Sequence, residues 1–136
     1  MAVNTRTEYA LRALLEISAE RQSVSAQTIC KSQGLPKKYI EHLLSALKNA
    51  GLISSSTGSR GGYTLARPAR LISLYDVLEA VEDRNSELDC REEGSYCLGS
   101  SCGLRAVFDE VATKQRALLR SYTLDKIGRI WKKGQK

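Results

Sequence analysis

The sequence predicts a mainly α fold carrying one small β-hairpin. Apolar residues recur at helical spacing over most of the chain. The interruption falls at Leu52 to Ser56 and Tyr63 to Ala66, two short strand-like pieces around a tip of glycine, serine and arginine. Length agrees: 136 residues suit one domain, or one domain with an appended element, and can bury a core without covalent staples.

A first helix is expected from Thr5 to about Glu20, with Tyr9, Leu11, Ala13, Leu14, Leu15 and Ile17 on a broad buried face. Thr5 or Asn4 can cap it, and Glu8 lies three residues beyond Thr5 in a capping-box pattern. Ser23 or Ser25 can cap a second helix, running to about Gln33, with Ala26, Ile29 and Cys30 inward as core. Gly34 makes a turn, and Pro36 sits where a first helical position tolerates a missing N–H. The third helix, from about Pro36 to Ala50, turns Ile40, Leu43, Leu44 and Leu47 to one side, and Asn49-Ala50-Gly51 ends it. Helix, glycine turn, helix and then a hairpin with a basic tip is the order of a winged helix-turn-helix. That arrangement puts one helix in the major groove of a duplex and the hairpin on the adjacent backbone or minor groove.

Pro68 closes the wing, and Ser73-Leu74-Tyr75-Asp76 reads as a second capping box, opening a helix to about Val81. Asp83 to Ser101 has little periodicity and reads as a loop. From Gly103 to about Tyr122 a long helix keeps Leu104, Val107, Phe108, Val111, Leu118 and Tyr122 on one stripe. Thr123 can cap a final helix carrying Leu124, Ile127, Ile130 and Trp131. The chain thus divides into a reading domain (1–82), a cysteine-containing segment (83–102) and a dimerisation helix with a C-terminal helix (103–136). The long stripe lies outside the reading domain and needs a cover. An antiparallel copy from a second subunit supplies one, since two-fold dimers match palindromic operators.

Charge falls where this architecture needs it. Residues 1–70 carry ten lysines and arginines against four acids, 71–102 carry two against eight, and 103–136 carry nine against three. The reading half is basic, as a polyanion partner requires. Arg6, Glu8 and Arg12 interrupt the N-terminus before an apolar run develops, and no stretch reaches membrane-spanning length. A cytosolic location is expected. In a reducing compartment, four cysteines favour metal or redox chemistry over structural disulfides.

Lys37, Lys38 and Tyr39 occupy the first turn of the third helix, where side chains and backbone N–H groups reach phosphates or base edges. Glu41, His42, Ser45 and Lys48 share its polar face; Glu41 can accept from a cytosine amino group, and His42 or Ser45 can bond to base edges. At the wing, Gly58, Gly61 and Gly62 are expected to let the backbone approach a duplex closely, and Arg60 to enter a narrow minor groove. Tyr63 both packs and hydrogen-bonds, and Ser25 and Ser59 complete the set facing DNA.

Cys90, Cys97 and Cys102 are separated by six and four residues. The paired C-x-x-C knuckles of structural zinc sites are missing, and soft sulfur donors suit an iron–sulfur cluster. Spacing alone leaves metal binding and free, transiently oxidised thiols both open. With no C-x-x-C and a single histidine placed on the third helix, the chain does not read as an enzyme. A cysteine-dependent oxidoreductase is the remote alternative.

TRTEYALRALLEIS, LPKKYIEHLLSALKNAGLISS, GSRGGYTLARP and the Cys90/Cys97/Cys102 loop together resemble the IscR- and NsrR-type bacterial transcription regulators over nearly the whole chain. The resemblance implies a homodimeric regulator whose iron–sulfur cluster tunes binding to double-stranded DNA, with the three cysteines as ligands. Its [2Fe-2S] form suits the IscR-like spacing, while three cysteines and a carboxylate also suit [4Fe-4S]. IscR-like relatives carry a histidine three residues after the last cysteine, where this chain has Arg105. Other branches use an acidic residue on the partner subunit's first helix, which implies Glu8 as fourth ligand; water, a small thiol and Asp89 are the alternatives. Relatives also often place an arginine where this wing has Thr57, which implies that minor-groove reading is either moved to Arg60 or weakened. The mechanism expected is a population shift, in which the state of the cluster reorders residues 83–102 and changes the disposition of the two reading heads. A cluster-free regulator acting by thiol oxidation, or by docking a metabolic enzyme, is the rival within the same class.

Overall fold

The structure is a computed structural model that describes residues 4–82 and 96–135. In order come α1 (Thr5–Ala19), α2 (Ala26–Gln33), α3 (Lys37–Asn49), β1 (Ile53–Ser56), β2 (Gly62–Leu65), α4 (Leu74–Val81), α5 (Leu104–Ser121) and α6 (Leu124–Gly134). Short 3-10 turns lie at Ala69–Leu71 and Gly99–Ser101. The mainly α class and the hairpin wing are as the sequence predicts. Of the expected loop at 83–101, residues 83–95 lie outside the described residues; the remainder contains the second of those turns.

Local chemistry sets the element ends. Asn4, not Thr5, caps α1, its side chain accepting from the Thr7 N–H at 2.9 Å. The capping box expected of Glu8 therefore does not form: Glu8 lies one position too far along and sits 3.7 Å from Arg12 instead. Ser25 rather than Ser23 caps α2. That helix ends at Gly34, whose φ of 65° is open to glycine at little cost and lets Leu35 N–H reach back to the Cys30 carbonyl at 3.0 Å. Pro36 stands one position earlier than expected, as the N-cap of α3 in extended conformation, so Lys37 opens the helix. Ser73 and Asp76 form the predicted capping box of α4, both halves present.

One core joins these elements. Leu14 and Ile17 of α1, Ile29 of α2, Ile40, Leu44 and Leu47 of α3, Ile53 of β1 and Val77 of α4 are all buried, and α1 packs on α2, α3 and α4. The wing is antiparallel, with Ile53 opposite Leu65 and Ser56 opposite Gly62. Val24, in the α1–α2 connection, adds a single-residue third strand, exchanging both backbone hydrogen bonds with Tyr63 at 3.0 and 2.8 Å. The α5–α6 junction is pinned to the entry of α4: Leu74 N–H donates to Tyr122 and Leu124 N–H to Ile72, at 2.8 and 2.7 Å. Leu124 is thereby buried in the same core as α1, and α6 lies against α1 and the 69–71 turn.

Most of α5 remains outside. Arg120 stacks over the Tyr75 ring at 4.5 Å near its end, and Ala112 is buried, but Leu104, Val107 and Leu118 are 59, 51 and 60 % exposed. So long an apolar stripe left open in a single chain asks for a partner surface. Among the described residues no helix is long and apolar enough to cross a membrane.

Candidate nucleic-acid interface and thiol segment

The apolar side of α3 faces the core, which leaves its other side to solvent. Lys37, Lys38, Glu41, His42, Ser45 and Lys48 are exposed, and Tyr39 is half-buried. Tyr39 is held by Tyr9 of α1, the rings meeting edge-on with centroids 5.6 Å apart. The α2 side of the turn is held by Arg12, which donates through Nε to the Gln33 side chain at 3.2 Å and through Nη2 to the Gln33 carbonyl. Gln33 Nε2 in turn donates to Glu16 at 2.9 Å. Glu41 and Lys37 also bear on Cys30 of α2. Burial pushes the Cys30 thiol up, Glu41 adds to the rise and Lys37 opposes it, so this thiol stays protonated at neutral pH.

The wing is fastened to the α1–α2 connection. The Ser23 hydroxyl donates to the Arg60 carbonyl at 2.6 Å, which ties the tip back to the α1–α2 connection while Ser59 and Arg60 stay exposed. The glycines have an internal reason the sequence did not disclose. A Cβ at Gly62 would stand 2.6 Å from the Val24 backbone, and one at Gly61 would stand 2.5 Å from the Ser56 carbonyl oxygen. Gly61 and Gly62 are thus required by packing within the chain; Gly58 alone, at φ 102° with open space around it, is a tip glycine in the expected sense. Tyr63 is half-buried against the core, and the Ser25 hydroxyl accepts from the Thr28 N–H at 3.1 Å as the α2 cap. Lys37, Lys38, Ser45 and Lys48 of α3 and Arg60 of the wing tip are exposed.

Sequence reading missed Ser23, Val24, Arg12 and Gln33 as parts of this frame. Val24 is one residue, too short for any period. Arg12 could have been found, since it lies four residues from both Glu8 and Glu16 on one helix face.

Cys97 and Cys102 come shortly before α5 in the chain. Cys97 is exposed, and the Gly99 N–H donates to its sulfur at 3.4 Å. Cys102 is half-buried two residues before α5, and neither thiol is in a disulfide. Cys90 and Asp89 lie outside the described residues. Glu8 is exposed on the first turns of α1, and Arg105 stands in the first turn of α5. Among the described residues no three of His, Cys, Asp and Glu converge on a point that could hold a metal ion. The donor chemistry of Cys97 and Cys102 fits an iron–sulfur cluster; a complete set needs Cys90 and one further donor, which Glu8 of the same chain does not bring alongside them.

A family model described as Rrf2, iron-dependent transcriptional regulator, matches residues 3–129. The chain belongs to the Rrf2 family. Protein rrf2 of Nitratidesulfovibrio vulgaris strain Hildenborough is 36 % identical over 127 residues, covering 91 % of this chain and 85 % of that protein. Among solved structures, T. potens IscR superposes with a TM-score of 0.74 at 27 % identity, covering 100 % of this chain and 92 % of that one. CymR of B. subtilis, described as the global cysteine regulator, superposes with a TM-score of 0.76 at 23 % identity over 96 % of this chain and 98 % of that one, a likeness of fold alone. As an Rrf2 protein this chain is a DNA-binding transcription regulator, and α3 and the wing tip present exposed Lys37, Lys38, Lys48 and Arg60.

Proposed function

We propose that this Rrf2 protein is a homodimer that reads palindromic DNA through α3 and the wing, with an affinity set by an iron–sulfur cluster on its thiol segment. Lys37, Lys38, Lys48 and Arg60 contact phosphates or a narrow minor groove, and Tyr39, Glu41, His42 and Ser45 face base edges. The α5 stripe pairs with its copy. Cys90, Cys97 and Cys102 hold the cluster, with Glu8 of the partner subunit as the fourth donor. A bound cluster supplies a centre sensitive to iron supply, oxidation or nitric oxide. Cys97 and Cys102 translate its presence into chain geometry, since Cys102 leads within two residues into α5. The observation that carries this reading is the exposed Cys97, with a backbone N–H on its sulfur, between a reading head and an uncovered dimer stripe.

Protein purified without oxygen is expected to be coloured and to contain iron and acid-labile sulfide. Cys97→Ala is expected to bleach it and to change operator affinity by about tenfold, a typical coupling between two sites, with the thermal unfolding midpoint little changed. Colourless, iron-free wild-type protein would remove the cluster from this account and leave the DNA-reading surface in place. The second reading, thiol oxidation without a cluster, is favoured by the exposure of Cys97 itself. It predicts no iron, and an operator affinity that responds to peroxide and is restored by a dithiol.

A further inference from the structure

The first turns of α1 are tied to two places at once. On one side, Arg6 Nη1 donates to the Val81 carbonyl at 3.3 Å, and the Thr7 hydroxyl donates to the Glu82 carboxylate. Val81 ends α4, and Glu82 is the last residue before the 83–95 stretch that contains Cys90. On the other side, Tyr9 meets Tyr39 in the first turn of α3. One turn further, Arg12 holds the carbonyl end of α2 and stands 3.7 Å from Glu8. Thr7 is the anchor of the arrangement. It is 0 % exposed, so its hydroxyl has no access to water, and Glu82 is the acceptor that satisfies it. Withdrawing Glu82 while Thr7 stays packed would leave that donor buried without its acceptor, which favours the two ends moving together.

We infer that Thr7 is a positioning residue that couples the thiol segment to the recognition helix. It clamps the α4 exit to α1, so that a rearrangement beginning after Glu82 displaces the first turns of α1. Tyr9 passes that displacement to Tyr39, and Arg12 passes it to the helix-turn-helix turn. The inference rests on the reading above, that operator affinity follows the state of the thiol segment. It adds the route and the residue on which the route depends.

Coupling is a difference between two affinities, so the test measures that difference. A duplex selected from random sequence on the immobilised full-length protein serves as probe, and its dissociation constant is measured for cluster-loaded and cluster-stripped protein. Wild type is expected to show a ratio of about tenfold between the two states. Thr7→Ser keeps the hydroxyl and should keep the ratio within about twofold. Thr7→Val removes the hydroxyl at nearly constant volume and should shrink the ratio below about threefold, with iron content and melting midpoint close to wild type. A merely structural role would weaken both states together and leave the ratio alone. Should Thr7→Val fold poorly, Glu82→Ala removes the same bond from the half-buried side and carries the same expectation. A wild-type ratio surviving in whichever of these variants folds overturns the inference while the proposed function stands. A wild-type ratio of one overturns both.

Discussion

A methyl group at position 62 has nowhere to go. It would stand 2.6 Å from the carbonyl carbon and oxygen of Val24, which are backbone atoms already hydrogen-bonded to Tyr63. Gly62→Ala is therefore expected to destabilise the fold by about 1–3 kcal/mol, the usual cost of overpacking. Gly128 is the contrast: it lies inside α6, and a Cβ there would make an ordinary 3.6 Å contact with Leu15 Cδ2. Gly128→Ala should stabilise by roughly 0.5–1 kcal/mol through helix propensity. Urea unfolding of the two variants checks both, and a Gly62→Ala protein as stable as wild type would show that the Val24 strand is not where it is described. At this scale the sequence was half legible. That a Gly-Gly pair beside an arginine marks a hairpin tip follows from composition. That the pair is needed because Val24 crosses behind it depends on a contact nearly forty positions away in the chain, and no local pattern encodes that.

Elements were read best where their signals are local and redundant. The period of α3, with Ile40, Leu43, Leu44 and Leu47 on one side, fixes both its burial and its free face, and the Ser73–Asp76 box fixes the start of α4. Ends resting on one ambiguous residue were read less well: the sequence left Thr5 and Asn4 both open as the cap of α1, which Asn4 supplies, and Pro36 became a cap instead of a first helical residue. Thr123 is instructive in the same way. It precedes α6 as expected, yet its hydroxyl bonds the Asp125 carboxylate rather than a backbone N–H. That hydrogen bond is the main reason the Asp125 carboxyl is held below the usual aspartate range, with burial opposing it and Arg129, 3.6 Å away, assisting. A carboxyl whose folded-state pKa is lowered stabilises the fold above its ordinary value, and that contribution is lost as pH falls through the lowered one. Thr123→Val should let the Asp125 pKa rise toward the ordinary range and move the loss to higher pH. Carbon-detected NMR titration of the Asp125 carboxyl measures this, and an unchanged titration midpoint would contradict the assignment.

Across the whole molecule, the architecture splits into a packed reading head and a helix that the head leaves uncovered. The head was legible because its helices carry periodic apolar faces that meet in one shared core. The stripe on α5 was legible as apolar, and its exposure in the single chain agrees with a cover supplied by a second copy. The cysteines were legible as soft donors. The bond from Thr7 to Glu82 was not legible, because the two residues are 75 positions apart. The central claim is that two such heads, set side by side by α5, grip duplex DNA through Lys37, Lys38, Lys48 and Arg60. The most direct test is the salt dependence of binding to a selected duplex. Four cationic contacts per head should give a log–log slope of roughly −4 to −7, since each phosphate contact contributes about −0.9. Replacing Arg60 by Ala should make that slope shallower by about 2 per dimer. Binding that is insensitive to salt, or a slope that Arg60→Ala leaves unchanged, would contradict the account.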